Sequence, residues 1–301
     1  MIQIFRRRPP HRAEVATRRR VRELEIVTAR LVRAGFAGQY HAAFHGRGIE
    51  FHQVREYLPG DDIRTIDWNV TARSGVPHVK QFVEERDLSV LVAIDLSGSM
   101  GFGSIDRRKS DLAAELTSVL SFAALQNGDR IGLLTFDGAV RSYIPPRRGR
   151  RQIELIVGRI LSDAEQGGSA ADFRAASAFI RRVMIKRGVI ICISDFLDAD
   201  APALLEPLAA RHDVVALALD DPRERRLPGR GIVRLVDRES GKGRFVDLKL
   251  AFARGELVRS KAIESLRRRG IDAVSLSTGE PYERALIRFF DSRIRRRGRR
   301  R

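Results

Sequence analysis

Residues 88–94, Leu-Ser-Val-Leu-Val-Ala-Ile, form an apolar, β-branched run too short for an average helix. Such a run reads as a strand buried on both faces, the kind found inside a parallel sheet. That constrains the chain more than any other stretch, because a two-faced buried strand needs helices over both of its faces. The run breaks into Asp95-Leu96-Ser97-Gly98-Ser99-Met100-Gly101, with three oxygen side chains at alternate positions and glycines that permit a tight path. In an open α/β sheet, ligands gather outside the carboxyl ends of the strands, where this loop would lie. One carboxylate and two hydroxyls aimed at one place suit a small hard cation, magnesium first.

Further donors are expected from two later segments. Gly167-Gly168-Ser169-Ala170-Ala171-Asp172 lies between two helical patterns and offers Ser169 from a glycine-loosened loop; Asp172 reads as the N-terminal residue of the next helix. A second buried strand, Gly188 to Phe196, ends in Ser194 and Asp195. Asp95, Ser97, Ser99, Ser169 and Asp195 together would match a divalent cation in charge and leave one octahedral position open. The three-part pattern resembles the metal-ion-dependent adhesion site of von Willebrand factor A domains. That resemblance implies a bound magnesium ion and a partner carboxylate completing its shell, with Ser169 standing where the family has threonine.

Composition narrows the class. The 301 residues are 43% apolar, enough for a sizeable core, and the single cysteine, Cys192, lies inside a buried-strand pattern. One cysteine allows no internal disulfide, and no apolar run approaches the roughly 20 residues that span a bilayer, so a cytoplasmic location is expected. The net charge of +18 is concentrated at the ends: residues 1–33 carry +7 and residues 293–301 another +7, leaving +4 for the rest. Basic arms of this kind attract RNA, DNA or anionic surfaces, and are equally expected as solvated termini.

In chain order, Glu14 to Arg33 has an imperfect helical stripe among arginines, and Gly35, Gly38, Gly46 and Gly48 mark an irregular connector. Residues 34–87 form a unit with three expected strands, Ile49–Leu58, Ile63–Val70 and Val76–Glu85, turned by Pro59-Gly60-Asp61-Asp62. The acids and arginines from Arg55 to Trp68 alternate as a hydrogen-bonded network would need, docking the unit on the sheet or presenting a partner surface, with Trp68 anchoring a core. From residue 88 to 292, strands (130–136, 140–144, 188–196, 214–219, 271–277) alternate with helices (110–126, 150–163, 172–186, 203–211, 250–269, 281–290). A hairpin is inserted at about 222–249, and a basic tail follows at 293–301. Alternation of this kind predicts an α/β, doubly wound, mainly parallel sheet.

The signature Arg55-Glu56-Tyr57-Leu58-Pro59-Gly60-Asp61-Asp62-Ile63-Arg64-Thr65-Ile66-Asp67-Trp68, followed by Glu84-Glu85-Arg86-Asp87, the Asp95 loop, Gly128 to Phe136 and Asp237 to Gly241, resembles the bacterial domain of unknown function 58 family. The likeness runs from about Gly46 to Arg293. It implies a von Willebrand factor A-like fold and a MoxR-type AAA+ ATPase as partner, the pair acting in chaperone-like assembly or maturation of other proteins. Many members carry two membrane helices that this sequence lacks.

Enzymatic readings fail on the same residues. Ser97 stands where a Gly-x-Ser-x-Gly elbow around Ser99 needs glycine, and where an aspartyl-phosphate loop needs its second aspartate. No Gly-x-x-x-x-Gly-Lys-Ser/Thr loop is present, and His41/His45 is the one weak metal-type histidine pair. The expectation is a non-enzymatic, magnesium-dependent protein-interaction adaptor. The alternative is a nucleic-acid or anionic-surface binder acting through the arginine-rich termini.

Overall fold

The computed structural model describes residues 35–44, 49–84, 88–104, 107–166, 168–225, 232–236 and 243–299. The expected helix at 14–33 lies outside the described residues. Strands β3 (Ser89–Asp95), β4 (Arg130–Phe136), β5 (Val140–Arg147), β6 (Val189–Ser194), β7 (Asp213–Asp220) and β10 (Asp272–Ser277) form one sheet in the order β10-β7-β6-β3-β4-β5. Every pairing in it is parallel except that of β4 with the edge strand β5. This is the doubly wound, mainly parallel α/β architecture expected from the alternation.

Period-two side-chain alternation divides the core in two. Val90, Val92 and Ile94 of β3 join the cluster under α1 (Ala37–Phe44), α3 (Lys109–Gln126), α4 (Arg150–Gln166) and α9 (Glu283–Arg299). Leu91 and Ala93 join the cluster under α5 (Phe173–Val183), α6 (Ala201–Ala209) and α8 (Leu248–Arg268). Cys192 belongs to the second cluster, and burial holds its thiol protonated. It is a core residue.

Several local expectations are corrected. The connector around Gly35 and Gly38 is helix α1, held because Phe36, Tyr40 and Phe44 at four-residue spacing form one aromatic face; the rings of Phe36 and Phe44 each lie 5.4 Å from that of Phe290. The unit at 49–84 has two strands, not three: β1 (Ile49–Glu56) pairs antiparallel with β2 (His78–Glu84). Between them come a 3-10 turn at Ile63–Thr65 and helix α2 (Trp68–Ser74). Asp62 and Asp67 cap these two elements by accepting from Arg64 N and from Asn69 N and Val70 N, so local capping overrides the β-branched run. Within the charged signature, Arg55 donates two bonds of 2.7 Å to Asp61. Trp68 anchors nothing and is 67% exposed.

Strand β5 continues through Pro145-Pro146 to Arg147, where the sequence suggested a stop. On an edge strand the missing N–H can face away from the ladder. The prolines press on β4 at a register shift, where a Cβ on Gly132 would lie 2.6 Å from the Ile144 carbonyl oxygen. The inserted hairpin is present as β8 (Ile232–Val236) and β9 (Gly243–Asp247).

The closing helix also runs further than expected, into the segment set apart as a basic tail. Arg293 is 1% exposed; it pairs with Asp213 and Asp272, donates to the Ala43 carbonyl at 3.2 Å, and lies over the Phe44 ring. It therefore joins α9 to the starts of β7 and β10 and to α1. Removing one partner of a buried ion pair leaves the others uncompensated. Arg293→Ala should lower stability in urea denaturation by about 3 kcal/mol, whereas Arg295→Ala, its exposed neighbour, should change it little. Equal effects of the two would contradict the structural role of Arg293.

Candidate functional site

The carboxyl ends of the parallel strands meet at one pole of the molecule. Asp95 ends β3 and Ser194 ends β6, one residue beyond the paired Ile94 and Ile193. That register brings the Ser194 hydroxyl to Asp95 Oδ2 at 2.7 Å. Asp95 Oδ1 accepts from Ser97 N at 2.8 Å, which folds the chain back over the strand end. A 3-10 turn at Gly98–Gly101 then sets the Ser97 and Ser99 hydroxyl oxygens 3.1 Å apart. Ser99 also bonds the Asp195 carboxylate. Phe196, directly after Asp195, has φ 51°, the one positive value outside glycine among the described residues. It is fully buried, its ring stacked on Phe173 at 5.8 Å. Packing thus holds a backbone conformation that costs about 1–3 kcal/mol, in the place where the chain must turn away from the site.

Asp95, Ser97, Ser99 and Asp195 are therefore brought together. Ser169 is adjacent but differently employed. Its carbonyl accepts from Gly98 N at 3.2 Å, while its hydroxyl accepts from Gly138 N at 3.0 Å and bonds Asp137. Asp172 caps α5 by accepting from Ala175 N at 2.9 Å, as its position predicts.

The feature that sequence reading missed is Lys109. It opens α3 and is fully buried, with its Nζ 2.7 Å from Asp195 Oδ2 and 2.5 Å from Glu224 Oε1. Glu224, on the short helix α7 (Pro222–Arg225), also binds Arg259 at 2.8 Å, and Arg259 reaches Asp220 at 3.2 Å. Acid and base alternate along Asp195, Lys109, Glu224, Arg259 and Asp220, joining the ends of β6 and β7 to α3 and α8. In sequence, Arg107-Arg108-Lys109 looks like an exposed basic run, and only the fold separates its third member from the other two.

The two aspartates have unlike electrostatics. Burial and the neighbouring Asp195 charge push the Asp95 carboxyl up to about 7, against the bonds from Ser97 and Ser194. Burial would raise Asp195 too, but the Lys109 ammonium outweighs it and holds Asp195 below the usual carboxylate range. Lys109 is itself raised, because Asp195 and Glu224 outweigh its burial. The pole therefore keeps one firmly ionised aspartate, neutralised by lysine, beside one that gives up its charge readily.

A hard cation fits this donor set in part. The 3.1 Å between the Ser97 and Ser99 oxygens is close to the edge of an oxygen octahedron, about 2.9 Å for ligands at 2.0–2.1 Å. Asp95 supplies a carboxylate beside them. Asp195 Oδ2 is committed to Lys109, which leaves Oδ1, whose bond from Leu197 N is long at 3.3 Å. Among the described residues no three His, Cys, Asp or Glu side chains converge to hold a metal ion, so the hydroxyls are essential to any such site.

Comparison with known proteins identifies the family. The family model described as "Protein of unknown function DUF58" matches residues 53–266, and the chain belongs to that family. Uncharacterized proteins of Mycobacterium tuberculosis and Mycobacterium bovis are each 34% identical over 282 residues, covering 91% of this chain and 89% of theirs. An aerotolerance-related membrane protein from Bacteroides fragilis is similar in structure at TM-score 0.42 and 16% identity, over 68% of this chain and 99% of that one. The SpRpn10 VWA domain gives TM-score 0.37 and 12% identity over 66% and 93%. At such scores the fold is read from the strand order, not from the neighbours. Among the described residues no helix is long and apolar enough to cross a membrane.

Two outcomes follow from the polar framework. Lys109→Met leaves Asp195 and Glu224 without their buried cation and should cost about 3 kcal/mol in urea denaturation; a change below about 0.5 kcal/mol, the size of an ordinary surface effect, would mean that the ion chain holds nothing together. Asp221, after β7, accepts from Ser104 N at 2.9 Å and Thr278 Oγ1 at 2.7 Å, clamping the loops after β3 and β10. Burial would raise its carboxyl, but the bonds from Ser104 and Thr278 bring it below its ordinary 3.8. A depressed pKa adds stability that is present above 3.8 and lost as pH falls through the folded value. Asp221→Asn should therefore cost about 1–3 kcal/mol at neutral pH, and the gap from wild type should close below that range. A gap independent of pH would rule out a contribution from the charge.

Proposed function

We propose that this DUF58 protein is a non-enzymatic, magnesium-dependent adaptor that binds the carboxylate of a partner protein at the Asp95 pole. The observation that carries the reading is the pair of hydroxyls from Ser97 and Ser99 at octahedral-edge separation, beside Asp95 and at the open end of the central strand. Asp95, Ser97 and Ser99 would hold the ion directly, and Asp195 would be held near it through Ser99. A divalent cation supplies the charge that draws a partner's carboxylate to a pole otherwise lined with aspartates. It would also favour the ionised form of Asp95. Ser169, with its hydroxyl given to Asp137 and Gly138, serves by fixing Gly98 through its carbonyl. Family resemblance supports a MoxR-type AAA+ ATPase as the partner, with assembly or maturation of other proteins as the shared task.

In thermal denaturation, magnesium at a hundred times its Kd should stabilise the wild type by about 2.7 kcal/mol. Asp95→Ala should fold and lose that response. Affinity capture from nuclease-treated lysate should retain an AAA+ ATPase on wild type in magnesium, and neither on Asp95→Ala nor in EDTA. Retention that ignores both the substitution and the chelator would overturn the metal-bridged reading, and a steep loss of such retention with salt would transfer the binding to the arginine-rich ends.

A further inference from the structure

A second concave site lies at the opposite pole, before the amino ends of β6 and β7. It is a cleft of about 430 Å³ lined by Ala178, Arg181, Arg182, Pro207, Arg211 and His212. The volume falls in the range of small-molecule sites, roughly 300–1,000 Å³. Three guanidiniums border it, and no carboxylate is among its lining residues. The acids nearest in sequence, Glu206 and Asp213, are turned to Arg269 and Arg293 instead.

Basic residues in the last turn of a helix, as Arg181 and Arg182 are in α5, are ordinary complements to the helix dipole. They do not account for His212. It borders the cleft yet is only 5% exposed, and its two imidazole nitrogens are both shielded from solvent and without a hydrogen-bond partner among the described residues. A buried polar group without a partner is costly to keep, so one retained at a cleft calls for an explanation. Burial, with Arg211 and Arg187, depresses the imidazole's pKa below 6.5, so it is neutral at pH 7 and offers one N–H. Two of the arginines are already braced. Arg211 donates to the Ile185 carbonyl at 2.5 Å, and the Arg182 guanidinium lies 5.0 Å from the centre of the Phe179 ring.

We propose that this cleft binds a small organic phosphate, with Arg181, Arg182 and Arg211 pairing with the phosphate oxygens, Ala178 and Pro207 contacting the organic part, and the buried His212 beneath it. Guanidinium forks match phosphate geometry in two-bond pairs. The apolar Ala178 and Pro207 beside the arginines favour a phosphate ester over the free ion. The site is separate from the Asp95 pole and does not depend on its metal.

The test uses the full chain with phenyl phosphate and inorganic phosphate as probes, at ionic strength fixed with sodium chloride. Two readouts are needed because a chain of net charge +18 attracts anions generally: calorimetric affinity, and the ¹⁵N resonances of the His212 imidazole, assigned with His212→Gln. Phenyl phosphate should shift the His212 resonances and bind more tightly than inorganic phosphate. The Arg181→Ala/Arg182→Ala double variant, altered only at exposed side chains, should lose about tenfold or more in affinity, the worth of at least one charge-assisted hydrogen bond. Binding that leaves His212 unmoved, or that survives the double variant, belongs to the arginine-rich ends and overturns the assignment. So does equal affinity for the two probes, or a response only to RNA or a phosphorylated peptide.

Discussion

Central strands covered on both faces can carry polar side chains only where they end, and that constraint organises the molecule. β3 stops at Asp95, β4 is followed by Asp137, β6 by Asp195, β7 stops at Asp220 with Asp221 after it, and β10 is followed by Thr278. The interior supplies the rigidity, and the strand ends supply an array of oxygens at nearly fixed spacing. Register does the positioning: because Ile94 lies beside Ile193, the next residue of each strand meets the other within a hydrogen bond.

Gathering so many acids in one place creates a charge problem that the fold solves from the helices. Lys109 comes from the start of α3, Arg259 from the middle of α8, and Arg141 from the edge strand, where it pairs with Asp137. Each cation is tied to acids at the ends of strands, so helix position and strand position are fixed together. Asp95, like Asp221, has hydroxyl and amide partners, here Ser194 and Ser97 N, but its burial and the neighbouring Asp195 charge raise its carboxyl toward neutrality.

Sheet, helices and the Asp95 loop were legible because periodicity and glycine placement are local signals. β4 matches its expected bounds at both ends, and α3 ends where Asn127-Gly128 says it should, with Gly128 at φ 72°. What could not be read were choices decided by tertiary partners. Lys109 and Arg293 look like members of exposed basic runs until carboxylates from distant strands close around them. The aromatic face of α1 needs Phe290, some 250 residues away, to make sense of it. Trp68 misled for a related reason: residue type suggests burial, but the Asp67 cap fixes a short helix whose first residue faces outward. Ser169, expected as a further hydroxyl donor to the site, lies beside it with its hydroxyl bonded to Gly138 N and Asp137, partners that no local pattern announces.

The two prolines of β5 have a consequence beyond the fold of one chain. A sheet margin with regularly spaced free N–H groups is a template on which a second molecule can add a strand, the first step of cross-chain aggregation. At Pro145 and Pro146 that margin offers no donors, and the bulge beside Gly132 distorts the ladder there. Flanking Arg147 and Arg148 add positive charge to the same corner. Along this margin the molecule resists growing by its own backbone, so copies that meet there must do so through side chains.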